Sequence, residues 1–242
     1  IDIRQQAPIS SQSAITLPHV ISQKVSISFP FFNNSLRDLR LRNARSYGAN
    51  GVDKILNALD VAKAQIQGSR LSENEKTLLV AEIDSNATWF ESKKSDINSA
   101  SDLATVKSIG KDVNDRWNVE KVAIKKQAGD IACDQYEVNI AEARSASLLA
   151  AGKISAIKAQ GKDTAAMDKK LASYNSHVNK AAGYLGNARA DFNKINGPAL
   201  ADVRFSTGLR QLNLAGNELN NAYSDLKGLY GLIYQNNTTV KP

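Results

Sequence analysis

The sequence has few of the residues that form disulfides or bind transition metals. Its 242 residues include one cysteine, Cys133, and two histidines, which excludes an intramolecular disulfide and cysteine-based zinc or iron–sulfur sites. His19 and His177 do not have the spacing of a zinc-binding HExxH motif. No stretch approaches the roughly 18 apolar residues that span a bilayer. We therefore predict no metal, no other cofactor and no transmembrane segment, and we expect Cys133 to be a small buried side chain.

Motifs for phosphate and calcium binding are incomplete. The segment Gly161–Thr164 resembles the end of a phosphate-binding loop, but Ala156 stands where that loop requires glycine. Asp112 and Asn114 begin like a calcium loop, but Trp117 occupies the position that needs glycine for its turn. We therefore predict that the protein is not an enzyme and has no catalytic residue.

Proline and glycine are distributed unevenly, and their distribution separates the first 32 residues from the rest. Three of the five prolines lie within the first 30 residues, whereas the first glycine is Gly48. Residues 1–32, called the arm below, carry only three charged side chains. Near its end, four apolar residues alternate with polar residues or proline, which predicts a β-strand over 24–31 with one apolar face. These four residues are Val25, Ile27, Phe29 and Phe31.

The predicted strand needs a partner. Pro30 has no backbone N–H, so the strand should end there or lie at the edge of a sheet. An isolated two-stranded ribbon is marginal in water. We therefore predict that Val25, Ile27, Phe29 and Phe31 form a subunit interface with a neighbouring molecule. The alternative is that the arm packs on its own chain and completes that chain's core.

Residues 33–235 have the periodicity of helices. Ser72 and Glu75 have the spacing of a capping box, and Pro198 is placed to begin a helix after Gly197. Apolar residues recur at alternating spacings of three and four over long segments without proline. We predict an all-α fold, an elongated antiparallel bundle of coiled-coil-like long helices, with the arm at 1–32 and a polar tail at 236–242.

Arginine is concentrated where the arm meets the first helix. Arg37, Arg40, Arg42 and Arg45 place four guanidinium groups within nine residues, which favours contact with an anion or with a carboxylate-rich partner surface. The alternative is a solvated helix start. The net charge of +7 favours loose attraction to an anionic cell-surface polymer. Nucleic-acid binding is not favoured, because basic and acidic residues are mostly interleaved.

The chain begins with Ile1, from which we expect a cleaved export signal and an extracellular or cell-surface location. The combined features predict a secreted structural or assembly subunit, a cell-surface or filament building block whose arm contacts a neighbouring subunit and which forms a homo-oligomer or polymer. The alternative is a monomeric extracellular binding, adhesion or sensor module. The two hypotheses differ on whether Tyr223, Tyr230 and Tyr234 form an exposed patch or lie buried between helices.

Overall fold

A computed structural model describes residues 37–238, which form five α-helices joined by short connections. The all-α prediction is confirmed for these residues, and the elongated form of the bundle stays a prediction. The arm and its predicted strand lie outside the described residues. The helices are α1 (Arg37–Gly68), α2 (Glu73–Ser99), α3 (Leu103–Ala159), α4 (Ala165–Asn193) and α5 (Pro198–Thr238).

The helix boundaries follow local chemistry. The Ser72 side chain accepts a hydrogen bond from the Glu75 backbone N–H, and the Ser72 backbone N–H donates to the Glu75 carboxylate at 3.0 Å, so the predicted capping box is confirmed. Pro198 is the first residue of α5, as its fixed φ angle favours. Gly161 follows α3 with a φ of 74°, a left-handed conformation that favours glycine over any residue with a Cβ.

The longest helix, α3, contains 57 residues without interruption. Gly110, Gly129 and Gly152 are positions at which this helix could bend or break, because glycine destabilises a helix by about 1 kcal/mol relative to alanine. The helix nevertheless continues through all three positions. Its buried side chains are distributed along its length, so packing against neighbouring helices outweighs the local cost of the glycines.

The described residues divide into two compact units. The amino-terminal unit comprises 37–131 and 194–205, and the carboxy-terminal unit comprises 132–193 and 206–238. The first therefore contains α1, α2, the beginning of α3 and the beginning of α5. The second contains the remainder of α3, α4 and the remainder of α5.

In the amino-terminal unit, two ion pairs show that α1 and α2 are antiparallel. Lys63 lies 2.6 Å from Asp84, and Asp53, ten residues earlier on α1, lies 2.5 Å from Lys94, ten residues later on α2. The buried side chains of α1 are all aliphatic. Where α2 meets α3, the ring of the fully buried Phe90 packs edge-on against Trp117 with a centroid distance of 6.4 Å.

In the carboxy-terminal unit, the core consists largely of alanine and aliphatic side chains with a few large rings. The buried Tyr174 hydroxyl donates a hydrogen bond to the Ala143 carbonyl at 2.7 Å, which joins α4 to α3. Phe192 of α4 lies so close to Gly208 of α5 that an added Cβ would be 2.4 Å from its ring. Small residues therefore allow these helices to approach closely.

The inward face of α5 follows its apolar periodicity only in part. Tyr223 and Tyr230 both belong to the periodic residues, but Tyr223 is 36% exposed and Tyr230 is partly buried, whereas the adjacent Ala222 and Leu229 are buried. Of the aliphatic residues spaced by seven, Leu212, Leu226 and Ile233 are buried and Leu219 is partly buried. The helix continues to Thr238, so it extends into the predicted polar tail at 236–242.

Candidate functional site

The four arginines predicted as an anion or partner contact all lie at the beginning of α1, but they do not form one group. Arg37 and Arg42 are exposed, whereas Arg40 and Arg45 are partly buried. Arg45 donates hydrogen bonds from Nε, at 2.9 Å, and from Nη2 to the Ala100 carbonyl at the end of α2. Its guanidinium thus satisfies a carbonyl that the helix leaves without an internal partner.

Arg45 therefore has a structural role that the clustering of arginines did not predict. It ties the beginning of α1 to the end of α2, where a cation also complements the helix dipole. Arg37 and Arg42 are exposed, and their contact with an anion or a partner stays a prediction. The predicted interface residues Val25, Ile27, Phe29 and Phe31 lie outside the described residues.

A fully buried lysine is the least expected polar feature of the amino-terminal unit. Lys125 of α3 has 0% of its side chain exposed and donates a hydrogen bond to the Asp202 carboxylate of α5. Its ammonium group also lies 5.1 Å from the centre of the Phe205 ring. Asp202 remains 27% exposed, and its second oxygen is 3.9 Å from Nζ of Lys121.

Burial lowers the pKa of Lys125, and the hydrogen bond and charge of Asp202 oppose that shift. A lowered pKa increases the fraction of a lysine amine that is neutral, and so able to act as a nucleophile, near pH 7. Here, however, protein atoms cover the amine completely. The arrangement holds α3 to the beginning of α5, and Asp202 is the carboxylate on which the buried charge depends.

In the carboxy-terminal unit, charged side chains form a polar ladder between α4 and α5. Lys170 and His177 lie seven residues apart on α4, and Glu218 and Asp225 lie seven residues apart on α5. Lys170 donates to Asp225 at 2.8 Å, and Nδ1 of His177 is 2.5 Å from Glu218. Equal spacing on antiparallel helices brings both pairs into register, so the ladder specifies how α4 aligns with α5.

The ladder is electrostatically coupled through Asp225. Burial alone would raise the pKa of Asp225, but hydrogen bonds from Lys170 and Ser173, together with the charges of Lys170 and His177, outweigh it and lower that pKa. Nε2 of His177 lies 3.9 Å from the second oxygen of Asp225. Both groups join α4 to α5.

A third cluster surrounds Trp89 in the amino-terminal unit. The Arg116 guanidinium lies over the Trp89 ring at 4.8 Å from its centre and donates a hydrogen bond to Asn86. Asn86 in turn donates to Glu120 at 2.7 Å. Burial raises the pKa of Glu120, and the charge of Arg116 opposes this. These bonds join α2 to α3. Asn86 is buried, although it lies in an N-glycosylation acceptor sequence.

The tyrosines of α5 share one side of the helix. Tyr223, Tyr230 and Tyr234 are spaced by seven and four residues, which places them in one row on the helix surface. Tyr223 and Tyr234 are exposed, Tyr234 by 70%, and Tyr230 is partly buried. Burial raises the pKa of Tyr230. We call these three residues the tyrosine row.

Other predicted features can be placed directly. Cys133 is buried, as expected for a small apolar side chain. Across residues 37–238, no three histidine, cysteine, aspartate or glutamate side chains are grouped so that they could hold a metal ion. None of the described helices is long and apolar enough to cross a membrane.

Comparison of the chain with protein-family models, with curated proteins and with solved structures finds no match.

Sequence reasoning missed both the buried lysine and the polar ladder. The ladder had a recognisable signal, because a basic pair on α4 and an acidic pair on α5 have the same seven-residue spacing. Lys125 had no such signal. It lies next to the inward-facing Ile124, and only the position of Asp202 on a distant helix explains its burial.

Proposed function

We propose that this protein is a non-catalytic structural or assembly subunit, exported from the cell, in which the arm contacts a neighbouring subunit. The observation that carries the proposal is the pattern of the arm. Val25, Ile27, Phe29 and Phe31 alternate with polar residues or proline in a segment of 32 residues with only three charges. Such a segment gains stability when its apolar face is covered. Because it carries few charges, it also produces little electrostatic repulsion against a second molecule.

The contacts among the helices support a role for them as a framework. In the amino-terminal unit, ion pairs and hydrogen bonds connect α1 with α2, α2 with α3, and α3 with α5. In the carboxy-terminal unit, α3, α4 and α5 are connected in the same way. Each polar cluster described above joins two helices, as expected of side chains that maintain the shape of a scaffold.

Two pairs of substitutions in the full chain test the role of the arm. We expect Ile27→Gln with Phe29→Gln to abolish assembly, because they place amides on the apolar face. The matched control is Ser26→Gln with Ser28→Gln, which adds the same side chains to the opposite face. Light scattering should then give a multiple of the 26.2 kDa chain mass for the unchanged protein and for the control. The apolar-face variant should be monomeric, and a monomeric mass for all three proteins would overturn the proposal.

The exposed arginines would contribute to the same contact. Arg37 and Arg42 lie at the beginning of α1, directly after the arm, and their guanidinium groups suit carboxylates of a neighbouring subunit. We expect Arg37→Gln with Arg42→Gln to weaken assembly and to reduce its sensitivity to salt. Equal salt sensitivity before and after the substitutions would exclude this contribution.

The tyrosine row supports a second candidate function, a monomeric extracellular binding or adhesion module. Tyr223 and Tyr234 are exposed on the side of α5 that also carries the exposed Lys227. Exposed tyrosine is typical of interaction surfaces, and the neighbouring lysine suits an anionic polymer. This function predicts a monomeric chain that a dextran sulfate column retains, and weaker retention of Tyr223→Ala with Tyr234→Ala. Unchanged retention of that variant would argue against it.

Export stays a prediction. Immunoblotting of culture medium, cell-surface extract and cytosol tests it, and recovery of the protein in the cytosol alone would contradict it.

A further inference from the structure

We propose that α5 presents a binding surface for an uncharged, hydroxyl-rich polysaccharide in the carboxy-terminal unit. The surface, called the amide face below, is the exposed side of α5 from Asn213 to Tyr234. The inference goes beyond the assembly role proposed above and does not depend on it, because the arm takes no part in this surface. The amide face shares Tyr223 and Tyr234 with the tyrosine row, but its partner is uncharged, unlike the anionic polymer of the second candidate function.

The amide face exposes no carboxylate. The two acidic residues of α5 in this unit, Glu218 and Asp225, contact His177 and Lys170 of α4, and their side chains are only 18% and 12% exposed. By contrast, the shorter helix α2 exposes five carboxylates, those of Glu73, Glu75, Glu82, Asp84 and Glu91. A solvated helix face usually carries charges of both signs. The amide face therefore differs from an ordinary solvated face.

Amide side chains take the place of those charges. Asn213, Asn217, Asn220 and Asn221 are all exposed, and their spacings of three and four residues place them on one side of the helix. An amide group donates hydrogen bonds from its nitrogen and accepts them at its oxygen. A hydroxyl group also donates and accepts. A row of amides is therefore complementary to a ligand that presents hydroxyl groups at regular intervals.

Exposed tyrosines extend the same side of α5. Tyr223 follows Asn220 by three residues, and Tyr234, which is 70% exposed, lies two heptads after Asn220. A tyrosine ring has an apolar surface that covers the C–H face of a sugar ring, and its hydroxyl group remains able to form hydrogen bonds. Tyrosine, asparagine, serine and glycine are typical of adaptable recognition surfaces, and Ser224 and Gly231 are also exposed here.

The density of positive charge is too low for a polyanion. The exposed cations that α5 contributes in this unit are Arg210 and Lys227, which are 17 residues apart, or about 25 Å at about 1.5 Å per residue. Lys170 of α4 lies beside Gly228, but Asp225 balances its charge. Sites for polyanions usually cluster several lysines and arginines on one face. The amide face is therefore better suited to an uncharged chain.

The amide face also lacks the apolar centre of a protein interface. Leu214, which is 37% exposed, is the one large aliphatic side chain that the segment 206–236 exposes. The buried core of a protein interface is more apolar than this. The row from Asn213 to Tyr234 extends over about 32 Å along one helix, at about 1.5 Å per residue. A long, narrow, polar row fits an extended chain of repeating sugar units.

An array of uncharged oligosaccharides, probed with the full chain, tests this inference. The array carries fragments of glucan, mannan, xylan, galactan and chitin, and dextran sulfate is the anionic comparison. We expect the chain to bind at least one uncharged class equally at low and high salt, since no ion pair is involved. Asn213→Ala with Asn220→Ala should weaken that binding about tenfold, because the amide hydrogen bonds are lost. The matched control is Asn50→Ala with Asn57→Ala, an exposed pair with the same spacing on α1.

The outcomes separate this inference from both candidate functions. Equal weakening by the two pairs of substitutions would place the binding elsewhere and overturn the inference. Binding to dextran sulfate alone would overturn it in favour of the anionic polymer of the second candidate function. Failure to bind any of these probes would also overturn it. The mass of the chain tests the assembly role independently, so the failure of one proposal leaves the other intact.

Discussion

The two helical units stabilise charges near their cores in different ways. The amino-terminal unit buries Lys125 completely and balances it mainly with Asp202. The carboxy-terminal unit distributes its charges along the polar ladder, in which Lys170 and His177 keep some exposure to solvent. The stability of a fully buried charge depends on its one partner, whereas each charge in the ladder is stabilised by several neighbours and by water. The difference predicts a large, asymmetric response to substitution in the first unit and a smaller response in the second.

The largest effect should come from removing the partner of Lys125. We expect Asp202→Ala to reduce the free energy of unfolding by about 3–5 kcal/mol, because it leaves a buried charge without compensation. Lys125→Met should hardly change the free energy of unfolding, since methionine fills the buried space. The Asp202 carboxylate would still be partly exposed to solvent and close to Lys121. Both tryptophans, Trp89 and Trp117, belong to this unit, so tryptophan fluorescence during denaturation measures its stability.

The exposed pair of Lys111 and Asp115 provides the control for that asymmetry. Both side chains of this pair lie mostly in solvent, so Asp115→Ala should change stability by no more than about 0.5 kcal/mol. Equal losses for Asp202→Ala and Lys125→Met would show that the pair behaves as an ordinary surface ion pair.

The next largest effect concerns close packing in the carboxy-terminal unit. Gly208→Ala should destabilise the protein by about 2 kcal/mol, because the new methyl group would overlap the buried ring of Phe192. Gly186→Ala on α4 is the matched control, since no atom lies within 4 Å of its added Cβ. That control should stabilise the protein by about 1 kcal/mol. Thermal unfolding followed by circular dichroism separates the two, and a shift of the same sign for both would refute the packing argument.

The polar ladder should respond to pH through Asp225. Its pKa is lowered in the folded protein, so its contribution is present above the unfolded value of 3.8 and is lost as the pH falls through the folded value. We expect Asp225→Asn to cost about 1.5 kcal/mol at neutral pH, through weakened hydrogen bonds to a charged group, and much less at acidic pH. Amide hydrogen exchange in α4 and α5 measures this. A pH-independent cost would contradict the electrostatic explanation, and Asp115→Asn serves as the exposed control.

The smallest effect should occur at the beginning of α1. Arg45→Met removes the hydrogen bonds to Ala100, and we expect a loss of about 0.5–1 kcal/mol in the amino-terminal unit. Arg42→Met, at an exposed position of the same helix, should change stability by less than about 0.5 kcal/mol. Indistinguishable values from tryptophan fluorescence would mean that Arg45 contributes no more than a solvated arginine.

Local signals predicted the helices well because they act within a few residues. The capping box at Ser72, the break before Pro198 and the apolar spacings of three and four residues along α4 each depend on neighbours in sequence. The contacts between helices were predicted less well. Tyr223 belongs to the apolar periodicity of α5 and is nevertheless exposed, while the adjacent Ala222 is buried.

The polar sites show the same limit more clearly. Arg45 belongs to a dense group of arginines, and the sequence gives no sign that it alone contacts Ala100, 55 residues away. Lys125 and Asp202 are 77 residues apart. Such pairs depend on how helices pack, and a pattern within one helix does not specify them. The arm is the reverse case, since its alternation is clear in the sequence but its residues lie outside the described part of the chain.

The measurement that tests the central claim most directly compares the intact chain with a chain lacking residues 1–32. Light scattering gives the mass of each, and circular dichroism with tryptophan fluorescence shows whether the helices remain folded. We predict an assembled intact chain and a folded, helical, monomeric truncated chain, which would identify the arm as the connector between subunits. Two folded monomers would contradict assembly through the arm, and an unfolded truncated chain would show that the arm belongs to the core of its own molecule.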